Sequence, residues 1–260
     1  MSDDYDPRVS VLGAGDPVVL VPGMDGTGRL FYRQQPLLAR SYRVATYALR
    51  DSARHMDALV GDLAGVIDRL APGAAGAIVI GESFGGALSL SLALAVPERV
   101  RALVIVNSFA RFLPQTRLAL ARIGLGAIPW AMMQVVRRAT AFRMHSSHTH
   151  RDDVRQFLRL TATASRRGYL NRLAILREYD VRARLTELRP PVLFLASDED
   201  HLVPAVAQAR YMAERTPRGR LRVLRGHGHV CLIAPDVDLH ELLAAWLPDA
   251  EARPSASGGE

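Results

Sequence analysis

Three kinds of side chain that together make a hydroxyl nucleophilic occur along this chain in a set order. Ser83 lies in Gly81-Glu82-Ser83-Phe84-Gly85. The acids Asp198, Glu199 and Asp200 come later as a cluster, and His227 and His229 follow them. A serine hydroxyl is a weak nucleophile until a base takes its proton. Imidazole does this near neutral pH, and a carboxylate orients the ring and stabilises its cation. The chemistry these residues imply is attack on a carbonyl carbon through a covalent acyl-serine, with neither metal nor cofactor.

The setting of Ser83 supports that reading. An apolar run over 77–80 precedes it, and small residues at helical spacing over 84–96 follow. A serine at such a strand-to-helix turn sits at a sharp bend. Glycines two before and two after it avoid clashes with the neighbouring strand and helix. The helix amino terminus then points its dipole and free N–H groups at a developing oxyanion, and the Phe84 N–H is the first expected donor. A second donor is needed. The loop Val21-Pro22-Gly23-Met24-Asp25-Gly26-Thr27-Gly28, which ends the first apolar strand, is placed to supply it. A phosphate-binding turn fits this loop poorly. Its glycines do not follow G-x-G-x-x-G, and the chain has no lysine for a Walker loop.

The acids follow an apolar run over 192–195, at the carboxyl end of an expected strand, where functional groups collect in open α/β sheets. Asp200, four residues before Pro204, is favoured, with Asp198 as the alternative. The histidines follow the last expected strand, 221–224. Side chains two apart in an extended loop sit about 6–7 Å from each other, so only one of the two can face Ser83. His229, between Gly228 and the apolar run 230–233, is favoured, with His227 as the alternative.

The elements that must position these groups can be read from apolar spacing. Strands are expected over 17–21, 42–49, 77–80, 102–106, 191–196 and 221–224. Helices are expected over 29–40, 56–70, 84–96, 203–215 and 236–247. This alternation predicts the α/β class, a mostly parallel sheet with helices on both faces and right-handed crossovers. The core is expected to span 1–107 and 189–248. Residues 108–188 break the alternation. They are helix-rich and basic, with 15 arginines against five acids, and are expected to form a helical lid over the carboxyl edge of the sheet. Residues 249–260, rich in Ser, Gly and Ala, are expected to be a disordered tail.

The elbow, the late acid and the final histidine, taken together, resemble the α/β-hydrolase superfamily across 17–247. In that fold the acid and histidine follow the nucleophile in this order, and the spacing from Asp200 to Pro204 is usual. The turn after the first strand reads H-G-x there and its third residue donates to the oxyanion, which implies Met24. The wording Leu20-Val-Pro-Gly-Met-Asp-Gly-Thr-Gly28, with Gly81-Glu-Ser-Phe-Gly-Gly86 and Gly228-His229-Val-Cys-Leu232, is similar to an esterase, lipase and thioesterase group that includes plant phytyl ester synthases. That resemblance implies a serine esterase or lipase acting on esters with a hydrophobic acyl or alcohol part. Acyl transfer or thioester hydrolysis is the alternative. The acyltransferase-like region that follows the hydrolase domain in those proteins is absent here, which leaves hydrolysis as the default. Gly23, Asp25, Trp130 and Met133 are the expected substrate contacts. A non-catalytic binding protein of the same fold is disfavoured by the intact Ser, Asp and His.

Charge and composition narrow the partners. The net charge is +7, and all 33 basic residues are arginine. The arginine-rich lid could touch an anionic membrane peripherally; no nucleic-acid partner is expected. The single cysteine, Cys231, precludes an internal disulfide, and the polar, acidic start is unlike a secretory signal. A cytoplasmic location is therefore expected. His145, His148, His150, Asp152 and Asp153 are metal-ligand types close in sequence, but they read as a solvated polar turn between lid helices rather than a zinc or acyltransferase motif.

Overall fold

Successive side chains of a strand point to opposite faces. In the run Asp16–Val21, Val19 and Val21 enter one core cluster and Val18 and Leu20 enter another. A strand buried on both sides belongs in a sheet covered by helices on both faces. The computed structural model, which describes residues 8–72, 76–112, 144 and 148–252, has that architecture. The strands are β1 (Val9–Leu12), β2 (Asp16–Val21), β3 (Tyr42–Tyr47), β4 (Ala77–Glu82), β5 (Val100–Val106), β6 (Val192–Ser197) and β7 (Gly219–Leu224). They form one sheet in the order β1-β3-β2-β4-β5-β6-β7, parallel throughout except for the β1–β3 pair. The order reverses around β2, so loops leaving β2 and β4 open side by side at the carboxyl edge.

Among the described residues the α-helices are α1 (Gln34–Leu38), α2 (Met56–Leu70), α3 (Phe84–Ala95), α4 (Arg151–Thr161), α5 (Arg166–Glu178), α6 (Ala205–Arg215) and α7 (Leu239–Ala252). Leu59, Leu63, Leu88, Leu92, Ala209 and Met212 bring α2, α3 and α6 into the first cluster. Leu38, Leu239, Leu242 and Leu243 bring α1 and α7 into the second. The spacing of Leu59, Val60, Leu63, Val66, Ile67 and Leu70 gives α2 its single apolar face, as the periodicity predicts. Among the described residues no helix is long and apolar enough to cross a membrane.

Three features differ from the sequence expectations. β1 was not expected: its four residues show no buried face, and Val11 and Leu12 are about half exposed. Only antiparallel pairing with β3, Val9 opposite Tyr47, defines it as a strand, and such an edge leaves no hydrophobic period to read. The helix α7 runs to Ala252 and so takes in the first four residues, 249–252, of the expected disordered tail; Arg101 of β5 grips Glu251 there. Residues 253–260 lie outside the described residues. Third, both ends of the segment expected to be a lid belong to the core. Phe109, Ala110, Tyr179 and Leu185 are buried in the first cluster, and Arg111 and Asp180 form an antiparallel bridge across its base.

The described part of this inserted segment is tied to the core by polar contacts. Asp153 on α4 accepts hydrogen bonds from the Tyr32 hydroxyl at 2.8 Å and from the Arg33 guanidinium at 2.7 and 2.8 Å. Ser165 caps α5 by accepting from the Gly168 N–H.

Candidate active site

Strand β4 ends directly in the turn that carries Ser83. The serine adopts φ 54° and ψ −117°, a conformation that costs a non-glycine residue about 1–3 kcal/mol and persists only where its surroundings enforce it. They do so here. The Ser83 N–H donates to the Val106 carbonyl at 2.9 Å, and the Ser108 hydroxyl donates to the Ser83 carbonyl at 2.7 Å. A Cβ on Gly81 would strike Ser89 and the Gly85 backbone, and one on Gly85 would strike the Val21 and Pro22 carbonyls. The glycines two before and two after Ser83 are therefore required by close approach.

His229, from the loop after β7, meets Ser83 from the other side. Its Nε2 lies 3.1 Å from Ser83 Oγ and its Nδ1 lies 2.7 Å from Asp200 Oδ2. All three groups are buried: Ser83 is 8% exposed, His229 4%, and the Asp200 side chain 0%. An ionised carboxylate only accepts, so Asp200 places the proton on Nδ1 and leaves the Nε2 lone pair facing the Ser83 hydroxyl. Asp200 is itself held by Leu202 and Val203, whose N–H groups each donate to Oδ1 at 2.9 Å. Burial works to lower the His229 pKa, but the Asp200 hydrogen bond and the charges of Asp200 and Glu82 outweigh it, and the net shift is upward.

The two alternatives weighed from sequence are engaged elsewhere. Asp198 Oδ1 accepts the Gly226 N–H at 2.7 Å, joining the acid loop to the histidine loop. His227 is buried, but its ring stacks on His148 and its Nε2 lies 3.5 Å from Asp236.

The loop after β2 lies against the serine. A Cβ on Gly23 would sit 3.6 Å from Ser83 Cβ and 3.4 Å from the Glu82 carbonyl. Met24 and Asp25 form the turn closed by a Gly26 N–H to Gly23 carbonyl bond of 3.1 Å. Phe84 is the first residue of α3, so its N–H has no partner in the helical ladder. Asp25 turns its carboxylate back onto its own loop, accepting from the Thr27 N–H at 2.9 Å and from the Thr27 hydroxyl. Trp130 and Met133 lie outside the described residues.

Sequence reasoning missed three residues here. Asn107, with φ 46°, follows β5 directly. Its Nδ2 donates to Ser197 Oγ at 2.9 Å and to the His229 carbonyl at 2.8 Å, and its Oδ1 accepts the Ser197 N–H at 2.8 Å. One amide thus fixes the end of β6 to the histidine loop. The signal for it was present: it is the first polar residue after an apolar strand at the carboxyl edge. Glu82, beside Ser83, is buried, and its Oε1 has no hydrogen-bond partner among the described residues. Burial pushes its carboxyl up to about 7, with Asp25 and Asp200 adding to the shift and His229 opposing it.

The third is Arg172 on α5, which is 2% exposed. Its Nε donates to the Met24 carbonyl at 3.0 Å and its Nη2 to the Asp25 carbonyl at 3.2 Å, while Asp51 balances its charge. No periodicity marks it, because its partners are carbonyls far away in sequence. Arg172→Met keeps an apolar stem but releases the Met24 loop. A misplacement of about 1 Å costs on the order of 10²-fold in rate, and kcat should fall by that order with a smaller change in KM. Steady-state kinetics of the variant check this, and an unchanged kcat would show that the loop does not need the arginine.

The chain belongs to the alpha/beta hydrolase fold family, whose model matches residues 16–234. Two relatives bear the name "Putative carbamate hydrolase RutD". One, from Cronobacter sakazakii, is 29% identical over 92% of this chain and 94% of its own length. The other, from Azorhizobium caulinodans, is 30% identical over 94% of this chain and 95% of its own. Among solved structures, an esterase from Exiguobacterium antarcticum superposes with a TM-score of 0.82 at 18% identity, covering 92% of this chain and 94% of that one. A hydrolase from Pseudomonas aeruginosa does so at 0.81 and 21%, covering 92% and 93%. At those identities the likeness concerns the fold.

Proposed function

We propose that this protein is a serine hydrolase that cleaves carboxylic esters bearing a hydrophobic acyl or alcohol part, through an acyl-enzyme on Ser83. The observation that carries the reading is the unbroken chain from Ser83 Oγ through His229 to Asp200. In the proposed mechanism His229 Nε2 removes the Ser83 proton as Oγ attacks the carbonyl carbon. Asp200 stabilises the imidazolium that forms. The Met24 and Phe84 N–H groups hold the oxyanion, and losing one such donor typically costs about 2.7–4 kcal/mol. The imidazolium then gives its proton to the departing alcohol. Water, deprotonated by the same nitrogen, attacks the acyl-serine and releases the acid.

The name borne by the two relatives favours a second reading, hydrolysis of a carbamate by the same groups. Attack would then leave a carbamoyl-serine, whose nitrogen lone pair feeds the carbonyl and slows the attack of water. One panel separates the two readings: p-nitrophenyl esters of increasing chain length beside a p-nitrophenyl carbamate. The ester reading expects sustained ester turnover, rising with chain length, and a burst followed by slow release from the carbamate. Faster sustained turnover of the carbamate than of every ester would replace the ester reading, and a short-chain optimum would remove its hydrophobic part. No turnover of either class would sink both.

A further inference from the structure

Three ligand-type side chains meet away from Ser83. His148 Nδ1 lies 3.0 Å from Asp236 Oδ2, and His227 Nε2 lies 3.5 Å from the same oxygen. One donor atom from each of the three falls within 4.8 Å of the others. A tetrahedral zinc ion bound at about 2.0–2.1 Å spaces its donors about 3.4 Å apart, so sub-ångström to ångström adjustments bring all three onto one ion. Two of the ligands, His148 and Asp236, are on exposed side chains free to make that adjustment. The third is held by the fold: His227 is 5% exposed, and its carbonyl accepts the Glu199 N–H at 3.0 Å. The stack of the two imidazoles, 4.9 Å between centroids, places both rings beside one carboxylate. Asp198 and Glu199 add negative charge within electrostatic reach of His227.

The three residues come from separate parts of the fold. His148 belongs to the inserted segment, three residues before α4. His227 belongs to the loop that carries His229. Asp236 precedes α7. Among the described residues the inserted segment also touches this loop where the Val230 N–H donates to the Met144 carbonyl at 2.8 Å, and where Phe157 packs in one cluster with Val230.

The geometry points to a binding site for one divalent cation of the zinc class, held by His148, His227 and Asp236, that fastens the inserted segment to the loop carrying His229. Two imidazoles and one carboxylate suit zinc, cobalt or nickel rather than calcium or magnesium, which take oxygen ligands. Three protein ligands leave a fourth position for water. The site lies two residues from His229 in sequence, so an ion there ties the inserted segment to the loop that faces Ser83.

The test is a titration of untagged protein, stripped with chelator, with cobalt(II) alone, followed by visible absorption and then by zinc competition. One cobalt per chain with the strong bands of a tetrahedral site is expected, together with a rise in Tm as the ion loads. Neighbours of a ligand typically change metal affinity 10–100-fold when mutated; loss of a ligand should cost at least that. His148→Ala and Asp236→Asn, both at exposed positions, should therefore each weaken binding about 10-fold or more. His227→Ala would empty a buried site and is not needed. The proposal is overturned if uptake is not saturable at one ion, or if both variants bind as the parent does, which would place the ion on other histidines. Because the readout is binding, the result is independent of which substrate the enzyme cleaves.

Discussion

Replacing Ser83 by alanine should lower kcat by roughly 10⁴- to 10⁶-fold, to the residue of rate that an oxyanion site and binding alone sustain. The variant removes one oxygen and leaves the fold's contacts intact, so its Tm should stay close to that of the parent. Ser83→Gly should be as inactive, but at least as stable as Ser83→Ala. Alanine retains the Cβ that makes φ 54° costly, whereas glycine adopts positive φ freely. The expected relief, up to about 1–3 kcal/mol, is offset in part by the greater unfolded-state freedom of glycine, worth about 0.4–1 kcal/mol. Turnover of the best substrate and thermal melts of the three proteins check both halves. Activity surviving in both variants would remove Ser83 as nucleophile. A melt of the glycine variant well below the alanine one would show that the serine conformation is not strained.

The second large effect concerns Asp200. Asp200→Asn keeps the shape of the side chain but offers His229 Nδ1 an amide that can donate as well as accept. The ring then no longer has to hold its proton on Nδ1, and a loss of about 10⁴-fold in kcat is expected from the wrong tautomer. The pH profile gives a separate readout. A base must be neutral to act, so activity should fall as pH falls through the His229 pKa. In the parent this limb should lie above the ordinary histidine value of 6.5, because the Asp200 bond and charge raise it against the effect of burial. Without the carboxylate, burial remains, and the limb of the residual activity should move to lower pH. Measurements with chelator present keep any bound cation out of the comparison. Asp198→Asn is the control: its carboxylate serves the Gly226 N–H, and kcat should change far less. Equal losses in the two variants would show that the acid loop as a whole, rather than the Asp200 bond, is what matters.

The order of strands and helices was legible because it depends on local periodicity. β2, α2, β4 and α3 each bury faces that repeat every two or every 3.6 residues, and each came within a few residues of its expected bounds. β1 was not legible, since it is a strand only by virtue of the neighbour it pairs with. The elbow at Ser83 was readable for a different reason. Glycines at 81 and 85 record in sequence a steric requirement that the fold imposes. Spacing in the sequence favours Asp200 over Asp198 and His229 over His227 without excluding either alternative. The loops set His229 and Asp200 in the hydrogen-bonded row that ends at Ser83, and turn Asp198 toward Gly226 and His227 toward Asp236.

By its own residues, then, the chain determined its class, its parallel sheet, the place of the Ser83 turn and the order of the acid and histidine loops that follow it. These are properties of neighbours along the chain, where a pattern of a few residues has a direct mechanical meaning. Tertiary structure alone decided that Asn107 binds the β6 end to the histidine loop and that Arg172 grips the carbonyls of the Met24 turn. It also decided that His148, an apparent member of a polar turn, stands with His227 and Asp236. In each case one polar group is satisfied by partners about 80 to 150 positions away in sequence. Hydrogen bonds and ion pairs of that reach leave no period in a sequence, because they are set by where two loops meet and not by how either one is spaced.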